Sequence, residues 1–138
     1  MIEIISHEIS PQIFSQNLLD SSCGGVVCFE GRVRNHNEGK KVSRLFYECY
    51  LPMASKVMNE IAEQAKKKWE VKKVDVVHRI GKIPMGEIAV WVGVSAAHRS
   101  EAFVACQFVI DEIKKKVPIW KKETYEDGSE TWVACHHA

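Results

Sequence analysis

The chain lacks most features that place a sequence in a functional class at sight. It has no excess of one charge: 19 Lys and Arg against 18 Asp and Glu leave a net +1, which excludes general polyanion binding as its character. It has no long apolar run. The longest uncharged apolar run, Ile88 to Ala97, falls far short of the ~20 residues that span a bilayer. The opening MIEIISHEIS has no basic region followed by an apolar one, so no export signal is read and a cytoplasmic location is expected. Its five cysteines (Cys23, Cys28, Cys49, Cys106, Cys135) form an odd set without a CxxC pair, pointing to free thiols in a reducing compartment rather than a disulfide framework. Cys135-His136-His137 has no second cluster at zinc spacing, so no metal and no cofactor is expected. Linkers, repeats and low-complexity tracts are absent too. The 138 residues therefore read as one domain, 1–138, able to bury roughly 70% of the surface of its unfolded chain.

What is present is a succession of short elements. Ile2 to Ile9 reads as a strand and Pro11 to Leu19 as a helix opened by proline. Gly25 to Arg34 alternates, with Val27, Phe29 and Val33 on one face and Cys28, Glu30, Arg32 and Arg34 on the other. The turn-forming segment Asn35 to Gly39 leads to a strand over Val42 to Tyr50, and these two strands are expected to pair as a hairpin. Met53 to Trp69 reads as a helix ending in Lys66-Lys67-Lys68. Val71 to Ile83 and Glu87 to Ala97 read as strands around Pro84-Met85-Gly86. His98 to Val117 is helical, with Phe103, Cys106, Ile110, Ile113 and Val117 recurring at steps of three and four. Ile119 to Tyr125 and Thr131 to Ala134 form a closing hairpin about Asp127-Gly128. This order predicts an α+β domain, a ferredoxin-like core with additional strands and hairpins, helices packed on a mostly antiparallel sheet.

One segment breaks the neutral balance. Lys114 to Glu123, KKKVPIWKKE, carries five lysines and one glutamate. Lys114, Lys115 and Lys116 in a final helical turn are expected on dipole grounds alone. Lys121 and Lys122 are less easily explained. Pro118-Ile119-Trp120 bends them back toward the helix end, where two ammonium groups ~4 Å apart repel by about 4 kcal/mol at an effective dielectric near 20. Crowded lysines of this kind serve as acid, base or nucleophile and hold phosphate or carboxylate. His98-Arg99 opens the last helix, where added positive charge is unfavourable unless an anion binds. Solvation or pairing with Glu101 explains it equally well, and a polar rim at Arg32 and Arg34 is equally open.

Taken together, FEGRVRNHNEGKKV (29 to 42), YECYLPMA (47 to 54), HRIG (78 to 81), SAAHRSEAF (95 to 103) and VPIWKKE (117 to 123) resemble the large, catalytic subunit of molybdopterin synthase. The resemblance runs in order from about Gly24 to Trp132. It implies a sulfurtransferase of molybdenum cofactor biosynthesis that acts on cyclic pyranopterin monophosphate. The sulfur would arrive on a small ubiquitin-like subunit whose C-terminal Gly-Gly ends as a thiocarboxylate. It also implies a substrate pocket at Arg32, Val33, Arg34, His98, Arg99, Lys114, Lys121, Lys122 and Glu123, with Lys114 and Lys121 catalytic. Arg99 and Lys114 stand 15 residues apart, about 22 Å along a continuous helix, too far to share one small substrate. A homodimer with a composite pocket, and a heterotetramer once two small subunits bind, is therefore expected. Single-stranded RNA binding, disfavoured by the neutral charge, and a non-catalytic scaffold for a ubiquitin-like tail are the alternatives.

Overall fold

The computed structural model describes residues 1–37 and 39–134. In chain order the elements are β1 (Ile2–Ile5), α1 (Pro11–Gln16), β2 (Gly25–Arg32), β3 (His36–Asn37), β4 (Lys40–Cys49) and α2 (Leu51–Lys68). They continue with β5 (Val71–Arg79), β6 (Gly81–Pro84), β7 (Ile88–Ala96), α3 (Arg99–Lys116), β8 (Ile119–Tyr125) and β9 (Glu130–Ala134). They build two sheets. The first has the order β1-β5-β7-β2, antiparallel except for the parallel β1–β5 pair; the second runs β3-β4-β8-β9, with β6 also paired to β4.

Every residue of β7 is buried because both faces of the first sheet are covered. On one face Val74, Val76, Val90, Val92 and Val94 join the buried stripes of α2 (Ala54, Met58, Ile61, Ala65) and α3 (Ala102, Ala105, Val109, Ile113). On the other, Val77 and Trp91 pack under Ile9 and Leu18, with the Phe14 ring 5.8 Å from Trp91. Double coverage is why Ile88 to Ala97 reads as unbroken apolar sequence rather than as an alternating strand. The α+β reading holds: β2, β7 and β5 lie side by side under α2 and α3, and the additional strands gather in the second sheet.

Two expectations about pairing are corrected. The strand over Gly25 to Arg34 does not form a hairpin with Val42 to Tyr50. Instead β2 pairs with β7 in the first sheet, whereas β4 pairs with β6 and β8 in the second. The chain crosses between sheets at Val33, whose N–H donates to the Glu87 carbonyl and whose carbonyl accepts from the Gly86 N–H. The turn chemistry at Asn35 to Gly39 serves the short β3–β4 ladder instead. Likewise Val71 to Ile83 is two strands in two sheets. Gly81, at φ 86°, supplies the left-handed conformation at which the chain changes sheet. On α3, Cys106, Ile113 and Val117 of the periodic set are buried together with Ala102, Ala105 and Val109, while Phe103 is 61% exposed.

Candidate functional site

The second sheet, the end of β2 and the last turn of α3 enclose a cleft of about 240 Å³. The two-residue period of β8 puts Lys121 and Glu123 on the cleft face, opposite Tyr47 and Leu45 of β4, which line it as well. Lys114 enters from α3, Arg32 and Arg34 from the chain leaving β2 past a register shift, and His36 and Asn37 from β3. Among the described residues, four cationic side chains thus share one small concavity with a single carboxylate.

These groups differ in how far they are committed. The Arg32 guanidinium donates to Glu30 Oε1 at 2.8 and 3.0 Å and to the Gly86 carbonyl at 2.7 Å, so it fixes the rim turn. Arg34 and Lys121 have no side-chain hydrogen bond or ion pair among the described residues. Glu123 is 2% exposed, and its carboxylate accepts from Asn37 Nδ2 at 2.7 and 2.8 Å and from the Tyr125 hydroxyl at 3.0 Å. It therefore ties the tip of β3 to β8, with the Lys40 ammonium 5.0 Å above the Tyr125 ring. Behind the cleft lies His78, buried, with its ring 5.3 Å from that of Tyr47 in an edge-on arrangement. Burial and, to a smaller extent, the Lys114 charge lower its pKa to about 4, against the opposing hydrogen bond to the Arg79 carbonyl.

The remaining residues named from the sequence lie elsewhere. Val33 is a core residue that acts through its backbone. Lys122 points to the opposite face of β8, where its ammonium sits 3.1 Å from Glu130 and over the rings of Phe46 and Trp132. His98 immediately precedes α3, without a side-chain capping hydrogen bond, and Arg99 is its first residue, at the far end from Lys114. A second, apolar groove of about 750 Å³ joins the two ends: it runs between α3 and β2 from Ser100 past Phe103, Val104 and Ile110 to Lys114. Asn37, Tyr47, Tyr125 and His78 were not singled out by sequence reasoning. Alternation along β8 contained the signal for Tyr125, whereas His78 reads as an ordinary core residue of β5.

Among the described residues no group of three His, Cys, Asp or Glu side chains is arranged to hold a metal ion, and Cys135-His136-His137 lies outside them. Cys23, Cys28, Cys49 and Cys106 are free thiols. No described helix is long and apolar enough to cross a membrane.

Comparison with known proteins agrees with the geometry. The chain is 42% identical over 132 residues to the molybdopterin synthase catalytic subunit of Bos taurus, covering 96% of this chain and 70% of that one. To the subunit of the same name from Thermoplasma volcanium it is 40% identical over 131 residues, covering 95% and 96%. A crystal structure of molybdopterin synthase from Staphylococcus aureus superposes with a TM-score of 0.90 at 38% identity, covering 95% of both chains. A Helicobacter pylori chain, from a complex of subunits 1 and 2 of molybdopterin-converting factor, matches at TM-score 0.80 and 17% identity, a likeness of fold. The sequence model of the family described as MoaE protein matches residues 4–116, and the chain belongs to that family, with the molybdopterin synthase catalytic subunits as its relatives.

Proposed function

We propose that this chain is the sulfur-transferring catalytic subunit of a cytoplasmic molybdopterin synthase. Its substrate is cyclic pyranopterin monophosphate, and its sulfur donor is the C-terminal Gly-Gly thiocarboxylate of a small ubiquitin-like partner. The observation that carries the reading is the meeting of Arg34, Lys114 and Lys121 in one cleft around the anchored Glu123. A cyclic phosphate and a peptide terminus are both anionic. Opening the first and releasing the second as a carboxylate both concentrate negative charge, which fixed cations in a partly dry cleft stabilise more in the transition state than in the ground state. Lys121, with no competing side-chain partner among the described residues, serves as acid and base. Lys114 orients the acyl end, and Arg34 holds phosphate. Arg32 shapes the rim, because three of its N–H groups, one on each nitrogen, are engaged by Glu30 and the Gly86 carbonyl.

His98 and Arg99 join this site from a second copy. The α3 helix is unbroken over 18 residues. Exposed Phe29, Phe103 and Val104 flank the apolar groove that reaches Lys114. A two-fold packing of this groove on itself buries those side chains and carries the start of one α3 toward the end of the other. Two small subunits then complete a heterotetramer. The test is complementation: inactive Arg99→Ala and Lys121→Ala proteins, mixed under subunit exchange, recover part of the single-turnover sulfur transfer. No recovery would count against a shared site.

A further inference from the structure

We infer that Arg79 is a positioning residue for the cleft: its guanidinium holds Glu87 with one arm and the Lys82 carbonyl with the other, and so sets the spacing between the two walls that carry Arg34 and Lys121. This deepens the reading of Arg34 as the phosphate-holding cation and rests on it.

The position follows from the strand. The period of two along β5 puts Arg79 on the face of Val77, opposite the face that α2 and α3 cover. It is the last residue of β5, just ahead of Gly81, where the chain leaves the first sheet for the second. There it is buried. Its Nη1 donates to Glu87 Oε1 at 2.7 Å and its Nη2 to the Lys82 carbonyl at 3.3 Å. Lys82 belongs to β6, which pairs along β4 so that Gly81 and Ile83 stand opposite Tyr47 and Leu45 of the cleft wall. Glu87 closes a tight turn: its N–H donates to the Pro84 carbonyl at 3.2 Å, with Gly86 left-handed at φ 86° in the third place.

That turn receives the end of β2. The Val33 N–H donates to the Glu87 carbonyl at 3.0 Å, and the Gly86 N–H donates to the Val33 carbonyl at 2.9 Å. Arg32 Nη1 adds its bond to the Gly86 carbonyl at 2.7 Å. Val33 itself is buried, so its neighbours Arg32 and Arg34 reach the cleft from a fixed backbone. One guanidinium therefore ties both walls together. An enclosed ion pair adds little net stability over an apolar pair of equal volume, whereas a planar fork fixes distance and direction between its two acceptors.

Two measurements on the intact protein test this. In native-state amide exchange followed by NMR, Arg79→Met and Glu87→Ala speed the Val33 and Gly86 amides about tenfold or more beyond any change at Val92 and Val94. Glu87→Gln, whose amide oxygen still accepts, stays near the parent. A variant that is merely less stable speeds Val92 and Val94 by as much. In single-turnover sulfur transfer, Glu87→Ala raises the half-saturating concentration of cyclic pyranopterin monophosphate about tenfold and leaves the maximal rate within a few-fold of the parent. Combined with Arg34→Ala it raises that concentration no further than Arg34→Ala alone, since both changes remove the same contact. No acceleration at Val33 and Gly86 beyond that of Val92 and Val94, or effects of Glu87→Ala and Arg34→Ala that multiply, overturns the inference. If the exchange shifts as expected while Arg34→Ala saturates like the parent, the Arg79 clamp stands and the phosphate contact proposed for Arg34 is what fails.

Discussion

The two faces of β8 do different work although their residues are neighbours in sequence: Lys121 and Glu123 face the cleft, and Lys122 faces Glu130 on the other side. Glu123 is an anchor whose loss removes the carboxylate that accepts from Asn37 Nδ2 and from the Tyr125 hydroxyl. Glu123→Ala is expected to cost about 1–3 kcal/mol in chemical denaturation and to loosen β3. At His78 the sign of the pH effect follows from a folded-state pKa lowered to about 4 from an unfolded value near 6.5. Its contribution is complete above pH 6.5 and declines as pH falls toward 4, because there the unfolded chain takes up a proton that the folded one does not. The loss approaches ~3 kcal/mol, and His78→Leu should show a flatter acid limb in urea denaturation between pH 7 and 4.5. Of these residues, Lys114, Lys121 and Arg34 were legible from sequence through charge crowding and resemblance. The anchoring of Glu123 was not, since Asn37 lies 86 positions away and nothing local marks the pair.

The elements themselves were legible wherever hydrophobic period and turn residues agreed, as in α2, α3 and the β8–β9 hairpin. What the local pattern does not encode is the sheet to which a strand belongs. An alternating segment such as Gly25 to Arg34 satisfies a neighbouring hairpin partner or a distant strand equally, and burial against α3 decided for β7. The same limit applies at Gly81, read as part of one long strand because its turn needs a single left-handed residue. Nothing lies within 4 Å of a Cβ placed there, so Gly81→Ala meets no clash and its cost is conformational, about 1–2 kcal/mol by denaturation. Phe103 fits the helical spacing yet lies outside the core. Ala102 and Ala105 win the inward face since small side chains let α3 approach the sheet closely.

At the scale of the whole molecule, that outward phenylalanine is part of the groove on which the proposed two-fold packing rests. Phe103→Asp is expected to shift sedimentation toward the monomer and to abolish sulfur transfer while leaving the cleft of each chain intact, and a dimeric, active Phe103→Asp protein would contradict the shared arrangement. The central claim is that chemistry occurs on the cleft face of β8, and adjacent lysines on opposite faces of that strand isolate it. The direct measurement is single-turnover sulfur transfer from a thiocarboxylated small subunit to cyclic pyranopterin monophosphate by Lys121→Ala and Lys122→Ala proteins. The account predicts a fall of about a hundredfold or more for Lys121→Ala and a rate within a few-fold of the parent for Lys122→Ala. Equal rates for the two variants, or the larger loss at Lys122, would contradict it.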